Sequence, residues 1–228
     1  MRRVMGALLS SLLSRARAAR PVRHATAPAA ARYFVVGDVH GCLDELHDLL
    51  RKAQYDDGAT RLVLVGDLVN KGPKSLEVIR FCRENDIKAV RGNHDDKCLR
   101  LFDGVDDLRD EYAYVRDMNE EDANWLRELP HTLTLPNVDS IVVHAGLRPA
   151  TSLENQAPQH MTTMRSLEGG APSSKPGRRL HRTSIALTRR AMTCARSSAS
   201  ASAAPGLAAS DGGVSAASGR VPWGPNRW

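Results

Sequence analysis

From Tyr33 the chain alternates short apolar runs with helical stretches. YFVVGDV leads into LDELHDLLRKA, RLVLVGDLV into SLEVIRFCREN, and KAVRGN follows. That order predicts an α/β fold in which each helix crosses over between parallel strands. Leu43, Leu46, Leu49 and Leu50 recur at helical spacing, as do Leu76, Ile79 and Phe81 with Cys82, so both helices should lay one face on a sheet. Beyond Gly104 the chain turns more polar. Asn119 is placed to cap EEDANWLREL, and the extended runs HTLTLPN and SIVVHAG, with a turn around Pro136 to Asp139, should begin a second sheet. From Gly169 onward neither period persists, and Ala, Ser, Gly, Pro and Arg dominate. The expected organisation is an extension over 1–32, a folded domain over 33–168 and a structureless tail over 169–228.

Charge sharpens this division. The net charge of +6 is uneven: residues 1–37 carry +7, residues 38–168 carry −9, and residues 169–228 carry +8. An acidic middle suits a site that gathers divalent cations and argues against specific nucleic-acid binding, despite the basic overall balance. The four cysteines form no CxxC pair, so neither a zinc knuckle nor a disulfide framework is indicated. No apolar run approaches the roughly 20 residues that a transmembrane helix needs. The first segment is rich in Arg, Ala and Ser and lacks acid, the composition of a mitochondrial or plastid transit peptide. A secretory signal or a plain extension of a cytoplasmic protein are the rival readings.

The candidate chemistry sits where the apolar runs end. Asp38 and His40 close the first run at i, i+2 spacing, which points both side chains to one side, and Gly37 and Gly41 flank them. Asp67 closes the second run after another glycine, Arg91, Asn93 and His94 close the third, and His144 closes SIVVHAG. Ligand sites gather at the carboxyl edges of such strands. Singly, each residue reads as a turn or surface group. Jointly, four apolar runs that each end in a ligand-type residue with a glycine one or two positions away point to one metal site.

The blocks GDVHG, GDLVNKGP, RGNHD and VVHAGL resemble those of the calcineurin-like metallophosphoesterases, within them the phosphoprotein phosphatase superfamily, and most closely its ApaH-like branch of bis(5'-nucleosyl)-tetraphosphatases. The likeness covers roughly residues 33–167. It implies an αββα sandwich and two divalent cations, of Mn, Fe, Zn or Co. Asp38, His40 and Asp67 would hold one ion, and Asp67, Asn93 and His144 the other. A bridging hydroxide would then attack phosphorus in line. His94 would be the general acid, with Arg91, Lys71 and, from TMRSL, Arg165 binding phosphate oxygens. Asn70 and Lys71 replace the Asp and Arg of the protein-phosphatase GDxVDRG pattern. That favours dinucleoside polyphosphates, polyphosphate or a nucleotide cap as substrate, with a serine/threonine protein phosphatase as the alternative. Family members continue into a further block whose histidine completes the second metal site, and no such block follows here. An incomplete second sheet and a weakened site are therefore expected, and a catalytically impaired binding protein is the third reading.

Overall fold

The computed structural model describes residues 22–168, 171–173 and 186–188, the last two segments and residues 167 and 168 in backbone only. The targeting segment expected over 1–32 falls mostly outside these residues, as does most of the expected tail. The element order is β1 (His24–Thr26), β2 (Arg32–Val36), α1 (Leu43–Lys52), β3 (Thr60–Leu64), α2 (Ser75–Glu84), β4 (Lys88–Ala89), α3 (Asn93–Phe102), α4 (Glu120–Glu128), β5 (Thr132–Leu135), β6 (Ser140–Val143), α5 (Pro158–Thr163), β7 (Ser166–Glu168), β8 (Ala171–Ser173) and β9 (Ala186–Thr188). A kinked 3-10 stretch, Asp110–Asp117, lies between α3 and α4.

Two sheets result. β2, β3 and β4 are parallel, with β3 central, and α1 and α2 are the crossovers that parallel pairing demands. The second sheet runs β1-β5-β6-β9, antiparallel apart from the β1–β5 pair. β7 and β8 form a separate hairpin.

β3 shows why the layers stack. Its side chains alternate between faces: Leu62 and Leu64 join the helices through Leu46, Leu50, Leu76, Ile79, Cys82 and Leu99. Val63, continued by Val65 and Val90, faces the other way and meets Leu133, Leu135 and Val142 of the second sheet. On the far side of that sheet Val143 packs on Met161 of α5. Helices, sheet, sheet and a short helix make the expected sandwich.

Three local expectations meet the structure differently. Asn119 caps α4 as its position predicts: its Oδ1 accepts from Asp122 N at 2.8 Å, and the Asp122 carboxylate accepts from Asn119 N at 3.4 Å. Leu49 leaves the predicted packing face and is 42% exposed, because Leu46 and Leu50 already fill the contact. The folded region begins before the expected boundary at residue 33. β1 pairs with β5, Arg23 N donates to His131 Nδ1 and His131 N donates to Arg23 O, and Ala27 is buried. Three residues suffice for a paired edge strand, too few to show a period in the sequence. Among the described residues no helix is long and apolar enough to cross a membrane.

Candidate metal centre

The loops after β2 and β3 are joined by backbone hydrogen bonds. His40 N and Val39 N both donate to Asp67 O, Gly41 N to Leu68 O, and Gly72 N to His40 O. This zipper forces left-handed backbone on four non-glycine residues, His40, Asp67, Asn70 and Lys71, with φ of 50°, 50°, 71° and 72°. Each such residue costs on the order of 1 kcal/mol or more, and such strain persists where surrounding bonds over-determine it. The third loop presses equally close: a Cβ on Gly92 would collide with the backbone and carboxylate of Asp67.

A buried carboxylate pins the three loops. Asp95, fully buried in the first turn of α3, accepts from Gly92 N (2.8 Å), Asp67 N (3.0 Å) and Leu68 N (2.9 Å). Burial, and next the neighbouring Asp67 carboxylate, raise its pKa. Asp95 is not among the ligand-type residues that close the apolar runs. Its position three residues after the helix cap is the signal that could have marked it.

Within this frame Asp38, His40, Asp67, Asn93 and His144 come together. Asp67, 4% exposed, lies between two histidines: its Oδ2 is 3.6 Å from His40 Nε2 and its Oδ1 is 3.5 Å from His144 Nε2. Asp38 Oδ2 stands 3.6 Å from His40 Nε2, and Asn93 Oδ1 is 3.3 Å from His144 Nε2. The other ring nitrogens settle the tautomers. His40 Nδ1 lies 3.1 Å from Val69 O, and His144 Nδ1 lies 2.8 Å from Val65 O. A carbonyl only accepts, so each Nδ1 carries a proton and, in the neutral ring, each Nε2 turns a lone pair toward the carboxylates. Acceptors facing acceptors at this range repel unless a cation sits between them. The donor set therefore fits divalent cations. Two triads of possible ligand atoms, His40–Asp67–His94 and Asp38–Asp67–His144, each lie within 4.8 Å, and Asp67 belongs to both.

The remaining expected residues separate. Lys71 reaches the cluster, its Nζ 2.7 Å from His40 Nε2, an ammonium drawn to the same lone pair. His94 stands beside His40 with ring centroids 4.9 Å apart. Its Nδ1 meets Asn70 Nδ2 at 3.2 Å and Tyr112 Oη at 3.0 Å. Burial lowers its pKa, opposed by the charge of Asp67. Arg165 is exposed just before β7.

Arg91, expected as a phosphate ligand, turns inward in the structure. It is 1% exposed, and its guanidinium donates to Leu126 O (3.2 Å) and Arg127 O (2.6 Å) at the end of α4 and to Asp96 (3.4 Å). The helix leaves its last carbonyls unpaired, and the buried cation satisfies them. Proximity to Asn93 in sequence did not reveal that the side chain turns inward. Tyr112 was also missed, since 18 residues separate it from His94 and nothing in the local sequence marks it.

A family profile described as calcineurin-like phosphoesterase matches residues 31–198. The symmetrical bis(5'-nucleosyl)-tetraphosphatase of Psychromonas ingrahamii is 37% identical over 127 residues, covering 53% of this chain and 46% of its own. The protein of the same name from Thioalkalivibrio sulfidiphilus is 36% identical over 157 residues, 61% of this chain and 58% of its own. The chain thus spans about half the length of the curated relatives it matches. A crystal structure provisionally called a diadenosine tetraphosphatase superposes with a TM-score of 0.61 at 34% identity, covering 68% of this chain and 69% of its own.

Proposed function

Because the chain belongs to the calcineurin-like phosphoesterases, we propose that it is a two-metal hydrolase that cleaves phosphoanhydrides, with dinucleoside tetraphosphates as its substrate class. The observation that carries this reading is the Asp67 carboxylate set between two histidines whose Nε2 lone pairs face it. Asp38, His40 and Asp67 would hold one divalent cation, and Asp67, Asn93 and His144 the other. Bound there, the pair would acidify a shared water and neutralise phosphoryl charge.

The chain's own residues supply the rest. Lys71, exposed beside His40, is free to swing from Nε2 to a phosphate oxygen once a metal claims that lone pair. His94 Nε2 would give its proton to the departing phosphate oxygen. Arg165 remains an outer contact for a long polyphosphate. The substrate assignment is supported by the printed names of the relatives and by Asn70 and Lys71 standing where protein phosphatases carry Asp and Arg.

The test is hydrolysis of diadenosine tetraphosphate against a phosphoserine peptide by the full chain reconstituted with manganese. Preference for the nucleotide is expected. In the His94→Asn variant both metals should stay while kcat falls about 10²- to 10³-fold. Preference for the peptide would overturn the substrate class, and metal loss in His94→Asn would overturn the division of roles.

A further inference from the structure

Among the described residues, the hydrogen-bond partners of His94 Nδ1 are not carboxylates. Two side chains from different elements converge on Nδ1: Asn70 Nδ2 at 3.2 Å from the β3–α2 loop and Tyr112 Oη at 3.0 Å from the 3-10 stretch. Tyr112 is 3% exposed, its ring lies at 17° to the His94 ring, and the backbone bends at this residue (φ −115°, ψ 22°), interrupting the 3-10 stretch. A buried tyrosine hydroxyl keeps a partner, and this one faces the imidazole.

We infer that Tyr112 is the positioning residue of the proton-transfer step, its hydroxyl holding His94 Nδ1 so that Nε2 faces the leaving oxygen. This rests on the phosphoesterase reading above. A hydroxyl suits the task better than the amide N–H of Asn70, which can only donate. The hydroxyl can accept from Nδ1–H or, turned about its C–O bond, donate to a bare Nδ1, so it holds the ring whichever nitrogen carries the proton. In the step itself water oxygen forms the new P–O bond and the old P–O bond breaks. Its electron pair goes to the leaving oxygen, which takes the proton from Nε2. Burial raises the Tyr112 pKa to about 12, which keeps the hydroxyl protonated and able to donate.

The test compares Tyr112→Phe with Tyr114→Phe. Tyr114 lies in the same 3-10 stretch with its ring 6.1 Å from that of Tyr112, and the same atom is removed. Two substrates separate positioning from general damage: phenyl phosphate, whose leaving group needs a proton, and p-nitrophenyl phosphate, whose leaving group hardly does. Tyr112→Phe should lower kcat about tenfold or more on phenyl phosphate and less than about threefold on p-nitrophenyl phosphate, with KM unchanged. Tyr114→Phe should match the parent on both. In the zinc-loaded protein the His94 ring ¹⁵N resonances should move in Tyr112→Phe and stay in Tyr114→Phe. Equal loss on both esters, or unmoved His94 resonances, would overturn the inference. If the parent chain hydrolyses neither these esters nor diadenosine tetraphosphate, the phosphoesterase reading fails, and the resonances still decide whether Tyr112 holds His94.

Discussion

In the sheet β2-β3-β4 every strand runs the same way, so all three carboxyl ends lie on one edge, and Asp38, His40, Asp67 and Asn93 follow those ends in turn. In the sheet β1-β5-β6-β9 the neighbours β5 and β6 run oppositely, and His144, just past β6, is the donor this sheet adds to the cluster. A parallel sheet thus concentrates ligands because its crossovers return the chain to the same edge after each strand. An antiparallel sheet presents an edge only at alternate strand ends. The two also differ in how they are held. Around the first, two loops share backbone bonds and the buried Asp95 ties in the third, whereas His144 is fixed chiefly by one bond from Nδ1 to Val65 O, a carbonyl just past β3.

Substitutions should break this asymmetry in a graded way. Asp67→Asn removes charge from the residue both triads share, so both metals should be lost, with turnover down on the order of 10³-fold or more. Elemental analysis beside a rate assay checks it. His144→Asn should be milder: one metal retained and rate lowered on the order of 10²-fold, since the second sheet's donor goes while the first sheet's set stays. Loss of both metals there would mean that the two sheets contribute equally. Asp95→Ala leaves three backbone N–H groups buried without an acceptor, and stability to urea should fall by about 2–4 kcal/mol.

The smallest effect concerns the join between β1 and the second sheet. His131, 2% exposed, has its pKa lowered to about 4 by burial first and then by the charges of Arg91, His24 and Arg23. Folded His131 resists protonation that the unfolded chain accepts near 6.5. Its contribution is therefore complete above that pH and lost as pH falls from about 6.5 toward 4. The loss at pH 5 is on the order of 2 kcal/mol. Urea midpoints at pH 7.5 and 5 should fall further apart in the parent than in His131→Gln; equal spacing would remove His131 as the cause.

The clustering of Asp38, His40, Asp67, Asn93 and His144 was legible in sequence because each closes an apolar run with a glycine one or two residues away, and the fold then brings those ends together. Arg91 obeys the same rule, which gives position along the chain but not the direction of a long side chain. In the structure that side chain satisfies the carbonyls of a helix some 35 residues away. Tyr112 and β1 act through contacts that only the folded chain creates. Asp95 lies between these cases: its cap spacing is visible, but the two N–H groups it receives from the loop after β3 are not.

The most direct test of the central claim, a shared Asp67 between two cations at the edge of the parallel sheet, is metal stoichiometry of the full chain measured together with diadenosine tetraphosphate hydrolysis, in parent and Asp67→Asn. Two divalent ions per chain with turnover are expected in the parent, and neither ions nor turnover in the variant. One ion or none in a parent that does not turn over the nucleotide would contradict it and leave a phosphoesterase fold put to another use.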